Sequence, residues 1–490
     1  MRKLVAAVIA AASLSAFAAW ERVGSLQVAD MATQGSAVAK LGSFAGNPLA
    51  AAGMAAAIAD NPLIKFFGPM REKTSMSFVI FLDGDKLSAS PSEMPDSLEF
   101  AVLYPVSATR EEFLRRHEGA AETNGVIVVK GDIFDGDKPD STTYVVLSDD
   151  GRWAGASDKL DQAKLALGEI AAASKSMDGD IARLRVDEKA FKAIAAFAKS
   201  ADAKDVNRAL LASLESSRSM SLGLRVSDLG IDVRMAVQFE KDSESDKCGR
   251  RPLGVNPLAF AGKDAIYAEA QAEGSGSAGQ LTEESWAQTV SLLKKSGLDL
   301  LKFVSLGKTE KGLRLVFDAA AICKAAKEPD GGALGKFDAE GFFKAAQEAG
   351  AKRQFTADTP AYALAAVVKG FVPQWPVAER FAATLPEAAS KKPYAVSFFS
   401  VSSLVKAGAA EAAAFIPEEQ RAMMQPVLDQ LAVETKCGCA TMFWRQGDVQ
   451  RVFFRISADE CRSFGSLFTA AMMFGLEGDS ADLPCDDDDD

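Results

Sequence analysis

The chain has 490 residues and a formal net charge of −12, with 48% hydrophobic and 25% charged residues. That apolar share supports packed cores in roughly two to four domains and excludes a disordered chain. The acidic balance excludes the electrostatic footprint of a nucleic-acid-binding protein and disfavours anionic lipid as a partner.

Residues 1–18 read as an export signal. Arg2 and Lys3 give the positive start, Leu4 to Leu14 form a short apolar run, and Ala16-Phe17-Ala18 is an A-x-A cleavage site. The run is too short to span a bilayer. The first cysteine is Cys248, so none follows the cleavage site to take a lipid anchor. A periplasmic or extracellular protein with no transmembrane helix after cleavage is expected. Residues 19–70 are alanine-rich and are expected to be helical, with one helix ended by Asp60-Asn61-Pro62. They should dock on the domain that follows, or lie against a membrane.

A first α+β domain is expected over 71–242. Met76 to Leu82 read as a strand closed by the turn Asp83-Gly84-Asp85, and Thr109 with Glu112 forms a capping box. The helix it opens carries His117, the single histidine of the chain, flanked by charge and expected to be solvated. Asp132, Asp135, Asp137 and Asp140 share one loop and are a weak calcium-loop candidate. Their spacing is not that of an EF-hand, and a solvated turn is the simpler reading. Thr143 to Leu147 and Arg152 to Ala156 form a hairpin around Ser148-Asp149-Asp150-Gly151, followed by a helix capped by Ser157 and reaching Ala173. Ala182 to Val186 form a strand, Asp187 caps a helix, and a second helix near Leu210 to Leu214 leads to a hairpin over 221–239. In that hairpin Ile231, Val233, Met235, Val237 and Phe239 alternate with Asp232, Arg234, Ala236 and Gln238, the period of a half-buried antiparallel strand.

Residues 243–256, rich in charge, serine, glycine and proline, read as a linker to a second α+β domain over 257–476. Its strand Ala265 to Ala270 precedes Gly274-Ser275-Gly276-Ser277-Ala278-Gly279, a G-x-G-x-x-G match. Gln280 to Thr282 separate that run from the next helix, and the neighbouring strands read as antiparallel, so a flexible loop is expected and no cofactor. A hairpin turns at Thr309 to Gly312, with Asp318 capping the next helix. Tyr394 to Ser400 form a strand, Ser402 caps a helix, and a further helix near Met423 to Leu431 leads to a hairpin over 439–456. Ser457-Ala458-Asp459-Glu460 follows as a capping box. The order strand, helix, helix, hairpin thus occurs twice, which predicts two related domains of antiparallel sheet covered by helices, produced by internal duplication. Residues 477–490 form an acidic, disordered tail ending in five aspartates.

Catalytic signatures are weak. One histidine excludes multi-histidine metal sites, and no Gly-x-Ser-x-Gly elbow accompanies it. Ser291/Lys294, Ser305/Lys308 and Ser403/Lys406 match S-x-x-K, about the number chance supplies. Cys437, Cys439 and Cys461 are disulfide or thiol candidates. The pairs Phe66/Phe67, Phe398/Phe399 and Phe453/Phe454 suggest burial on both faces of a sheet or an apolar groove. The reading is a non-enzymatic envelope protein that binds a protein partner or an apolar ligand. The alternative is an exported hydrolase using a carboxylate pair or a Ser/Lys arrangement.

Overall fold

The computed structural model describes residues 21–45, 52–53, 55–56, 60–82, 98–117, 119–131, 133, 141–200, 208–253, 257–262, 265–272, 283–309, 312–326, 328–329, 332–350, 362–368, 373–412, 418, 425–426, 429 and 433–473. The export signal, the acidic loop with Asp132, Asp135, Asp137 and Asp140, the Gly274–Gly279 run and the tail lie outside them.

The architecture is α+β, with helices laid on a large, mainly antiparallel sheet. Its strands are β1 (Glu21–Val28), β2 (Met76–Leu82), β3 (Leu98–Pro105), β4 (Ala121–Thr123), β5 (Val126–Lys130), β6 (Thr142–Leu147), β7 (Trp153–Ser157), β8 (Asp180–Asp187) and β9 (Ser217–Ser227). They continue with β10 (Gly230–Phe239), β11 (Ala265–Ala272), β12 (Val304–Thr309), β13 (Gly312–Asp318), β14 (Tyr362–Val368), β15 (Pro393–Phe399), β16 (Cys439–Gln446) and β17 (Val449–Ser457). Following the pairings gives one continuous ribbon in the order β4-β5-β6-β7-β3-β2-β1-β8-β9-β10-β17-β16-β15-β11-β14-β13-β12. Only β13–β14 is parallel among these pairings. Edge strand β4 is three residues long and wholly exposed, which limits it as a template for another chain.

Residues 21–28 correct the expectation of a helical N-terminal segment. They form β1, inserted between β2 and β8. Helices follow at Met31–Ala45 and Pro62–Phe67. The first of these packs mainly on the helix Ala458–Met473, from the other end of the chain. Residues 243–253 are likewise docked. Asp246 is buried and takes hydrogen bonds from Arg445 and Arg250, and Leu253 joins a core cluster with Leu258, Phe381 and Phe398.

The cores alternate between the two faces of the sheet. On what we term the front face, Val79, Phe81, Ala101 and Leu103 pack under the helices Leu160–Ala166 and Ile170–Ala173. Further along the same face, Val396, Phe398, Ala440 and Met442 pack under the helix Val377–Thr384. On the rear face, Leu184 and Val186 pack under the helix Glu188–Ser200. Rear residue Val226 meets the 31–45 helix, beside Ala458 and Cys461 of the 458–473 helix. Between the two front covers, the fronts of β8, β9 and β10 carry no helix of the described residues, while β17 is partly covered, with Phe453 in the core under the 377–384 helix and Arg455 donating to Thr384 O.

β10 and β17 join the first ten strands to the last seven, in register from Gly230↔Ser457 to Gln238↔Val449. Across this seam Asp232 and Arg455, both buried, face each other. The Arg455 guanidinium donates from Nε to Asp232 Oδ1 at 2.6 Å and from Nη2 to Oδ2 at 3.0 Å. Nη1 donates to Thr384 O at 3.2 Å, and Glu387 closes the outer side. Removing one partner leaves a buried, uncompensated charge. Asp232→Leu should therefore lower unfolding stability by about 3–5 kcal/mol. The double variant Asp232→Leu/Arg455→Met should recover most of that loss, read from urea unfolding midpoints.

Candidate functional site

Directly opposed residues in a sheet share a face, so the registers assemble rows across the front. One row runs Ser25, Arg185, Ser221, Ala236, Arg451, Trp444 over β1, β8, β9, β10, β17 and β16. The next runs Ser77, Gln27, Arg183, Gly223, Arg234, Phe453. The third carries Asp180, Arg225, Asp232 and Arg455. Arginines therefore stud a face of a chain that is acidic overall.

Most of these charges are spent internally. Arg183 donates to Asp180 Oδ2 at 2.8 Å, and Arg234 reaches the other oxygen of the same carboxylate. Glycine at 223 makes this junction possible, since a Cβ there would lie 2.7 Å from Asp180 Oδ2. Arg22, at the margin, pairs with Glu169 at 2.6 Å and Asp187 at 2.5 Å. Arg185 and Arg451, both half-buried, belong to no ion pair among the described residues. Of the eight buried side-chain polar atoms without a hydrogen-bond partner among the described residues, six lie on this face: Arg22 Nε, Ser25 Oγ, Gln27 Nε2, Ser77 Oγ, Arg225 Nε and Arg451 Nε. Each such group costs about 1–3 kcal/mol if left dry. Ser25, Gln27 and Ser77 are buried on β1 and β2, while Arg225 Nε and Arg451 Nε lie on β9 and β17.

No protein-family model, curated protein or solved structure matches this chain.

The Ser403/Lys406 pair falls in a different place, a buried polar knot beneath the 377–384 helix. Arg380 is fully buried; it donates from Nη1 to Ser403 Oγ at 2.7 Å and from Nη2 to Thr435 O at 2.9 Å, and also binds Ser400. Glu434 Oε1 lies 3.3 Å from Arg380 Nη1 and accepts from Ser403 Oγ at 3.2 Å. Lys406 turns to Glu434, at 3.4 Å, and not to Ser403. Burial lowers the pKa of Arg380, countered by Glu434 and Glu460. Glu460 accepts from Ser402 N at 2.9 Å, Ser402 Oγ at 3.0 Å and Thr435 Oγ1 at 3.2 Å; burial nevertheless holds its pKa above the usual range. Ser403 has no exposure to solvent. The knot locks the helix Val401–Ala412 and the 458–473 helix to the sheet; a substrate cannot reach its hydroxyls without unpacking them. Ser291 is exposed on a helix and Ser305 is exposed on β12.

Three cap assignments change: the Leu160–Ala166 helix starts from Lys159, not Ser157, and has no side-chain cap. Ser400, not Ser402, caps the 401–412 helix, accepting from Ser403 N at 3.0 Å. Ser457 does accept from Glu460 N at 3.2 Å, but the Glu460 carboxylate is engaged in the knot instead of returning to Ser457.

Cys437, Cys439 and Cys461 are free thiols beside the knot. Burial, with Glu460 and Cys461 nearby, pushes Cys439 up to about 12; burial and Glu460 push Cys461 up to about 11. Neither has the thiolate character of a nucleophile or a ready metal ligand. No group of three or more His, Cys, Asp or Glu able to hold a metal occurs among the described residues. The phenylalanine pairs on strands split as their alternation requires: Phe398 and Phe453 are buried in front, while Phe399 and Phe454 are half-buried behind.

His117 departs from the solvated helix residue expected. It caps the C-terminus of the Arg110–Arg116 helix, with its ring 4.4 Å from that of Phe66 and 4.6 Å from that of Phe113. Nε2 lies 2.9 Å from Phe66 O, so the neutral ring donates from that nitrogen. Burial lowers its pKa below the ordinary histidine value. The unfolded chain therefore takes up the proton first as pH falls, and this part of the stability is intact above about pH 6.5 and lost below it. Urea midpoints at pH 7.5 and 5.5 should show a larger acid loss for the native protein than for His117→Gln. Equal losses would rule out a neutral, packed His117.

Proposed function

We propose that this is an exported, non-enzymatic binding protein whose ligand lies on the front of β8, β9, β10 and β17. The observation that carries the reading is a row of half-buried side chains holding two arginines, Arg185 and Arg451, that belong to no ion pair among the described residues. Sequence reasoning favoured an apolar ligand from the paired phenylalanines; the front surface favours a polar, negatively charged one. The hydrolase alternative loses its best serine, because Ser403 is sealed and its lysine is engaged by Glu434. Among the described residues no helix is long and apolar enough to cross a membrane.

We read the two halves as products of duplication. The unit strand, helix, helix, hairpin runs β8 to β10; from β15 to β17 the described residues give strand, helix, hairpin, and the second helix expected near Met423 to Leu431 lies mostly outside them. The seam adds support. The first residue of each hairpin's second strand, Gly230 or Val449, pairs near the end of the other, at Ser457 or Gln238. Such reciprocal pairing is what two copies meeting about a local two-fold would give. In that view the binding face is composite, with Arg185 from one half and Arg451 from the other.

Native mass spectrometry of the protein purified gently from its source tests the reading. The expected result is an added mass that denaturation releases and that the Arg185→Gln/Arg451→Gln variant lacks. A bare mass for both proteins would overturn it.

A further inference from the structure

We propose that the front face binds an acidic polysaccharide, a sugar chain bearing carboxylates, laid across the strands. The inference rests on the reading of the front as the binding surface and names its ligand. The row Arg185–Ser221–Ala236–Arg451–Trp444 carries it.

Neighbouring strands lie about 4.8 Å apart, so Arg185 and Arg451, three strands apart, stand about 14 Å from each other. Neither is in an ion pair among the described residues, and a guanidinium fork matches a carboxylate in a bidentate manner. Two fixed cations at that separation suit a chain with spaced charges. Between them stand a hydroxyl and a methyl, Ser221 and Ala236, both half-buried, so no tall side chain interrupts the path.

The rest of the row separates a sugar chain from a bare polyanion. Ser221 both donates and accepts, as sugar hydroxyls do. Trp444 ends the row, half-buried and packed against the core cluster that holds Val396, Met442 and Phe453. An indole offers an apolar body with a polar edge, which suits the C–H face of a sugar ring and gives nothing to a phosphate chain. The strand carboxylates Asp180, Asp187 and Asp232 are held by Arg183 and Arg234, by Arg22 and by Arg455, so they do not repel the ligand as free charges.

Calorimetric titration of the full-length protein with hexagalacturonate tests the proposal. Maltohexaose, the same length without charge, and inorganic polyphosphate serve as comparisons. Hexagalacturonate should bind at least tenfold more tightly than either, and more weakly at high salt. Arg185→Gln and Arg451→Gln should each weaken it about tenfold and Trp444→Ala several-fold. Lys241→Gln, the same charge change on an exposed turn, should have little effect. All four variants should keep the parent circular-dichroism spectrum, because the three row positions are half-exposed and Lys241 is exposed. If polyphosphate binds as tightly and Trp444→Ala changes nothing, the saccharide assignment falls while the front remains an anion surface. If maltohexaose binds equally, or Lys241→Gln matches Arg185→Gln, the two-arginine site is wrong. If no anion binds, the reading of the front as the binding surface falls with it.

Discussion

Everything in this molecule hangs on the seam where β10 pairs with β17. It is the strand pairing that turns two separate sheets into one, and it places a carboxylate and a guanidinium, Asp232 and Arg455, in a buried position where neither could stand alone. A buried ion pair adds little net stability over apolar residues of the same size, but it punishes every other register. A slip of one residue would bring Arg455 opposite Val233 or Ile231 and leave both charges without partners. The pair thus fixes which residues of the two halves share a row, and that register in turn builds the surface assigned to the ligand.

The sidedness of the sheet follows from how it is covered. Helices protect the rear of β8 and β9, and two separate helical groups protect the front at either flank. The strip left between them cannot be apolar without exposing a greasy patch to solvent. It cannot be wholly self-satisfied either, because strands project side chains at right angles and give few of them local backbone partners. Arginine meets both conditions, burying its stem along the sheet while its head stays at the water boundary.

Much of the fold was legible in the sequence. Period-two alternation with short polar turns marked the hairpins at β6–β7, β9–β10, β12–β13 and β16–β17. Strand β1 was not legible, because the bulge between Arg22 and Gly24 sets Val23 and Leu26 three apart on one face and breaks the period of two, and the alanine-rich stretch after it suggested helix. The hairpin β4–β5 carried a signal that went unused: Asn124-Gly125 with both φ angles positive, the turn two-residue hairpins favour. The proposed binding surface was unreadable for a deeper reason. Arg185, Ser221 and Arg451 lie far apart in the chain, and each looked like an ordinary solvent-facing residue until register placed them in one row. Glu460 shows the limit of local motifs: its spacing from Ser457 promised a capping box, and a tertiary network claimed its carboxylate.

The contact between the helix at 31–45 and the helix at 458–473 has a consequence for the order of events in the cell. A chain made from its N-terminus at about 5–20 residues per second exposes the early helix tens of seconds before its partner exists. During that interval Ala37 and Phe44, which end up buried, have at most Val226 and Ile181 of the first half to rest on. Strand β1 faces a shorter wait of the same kind, since it needs β8 to complete its second edge. The architecture therefore penalises premature folding of the first half and favours a chain kept unfolded until its last helix has been made, which is the condition a secretory translocation channel imposes.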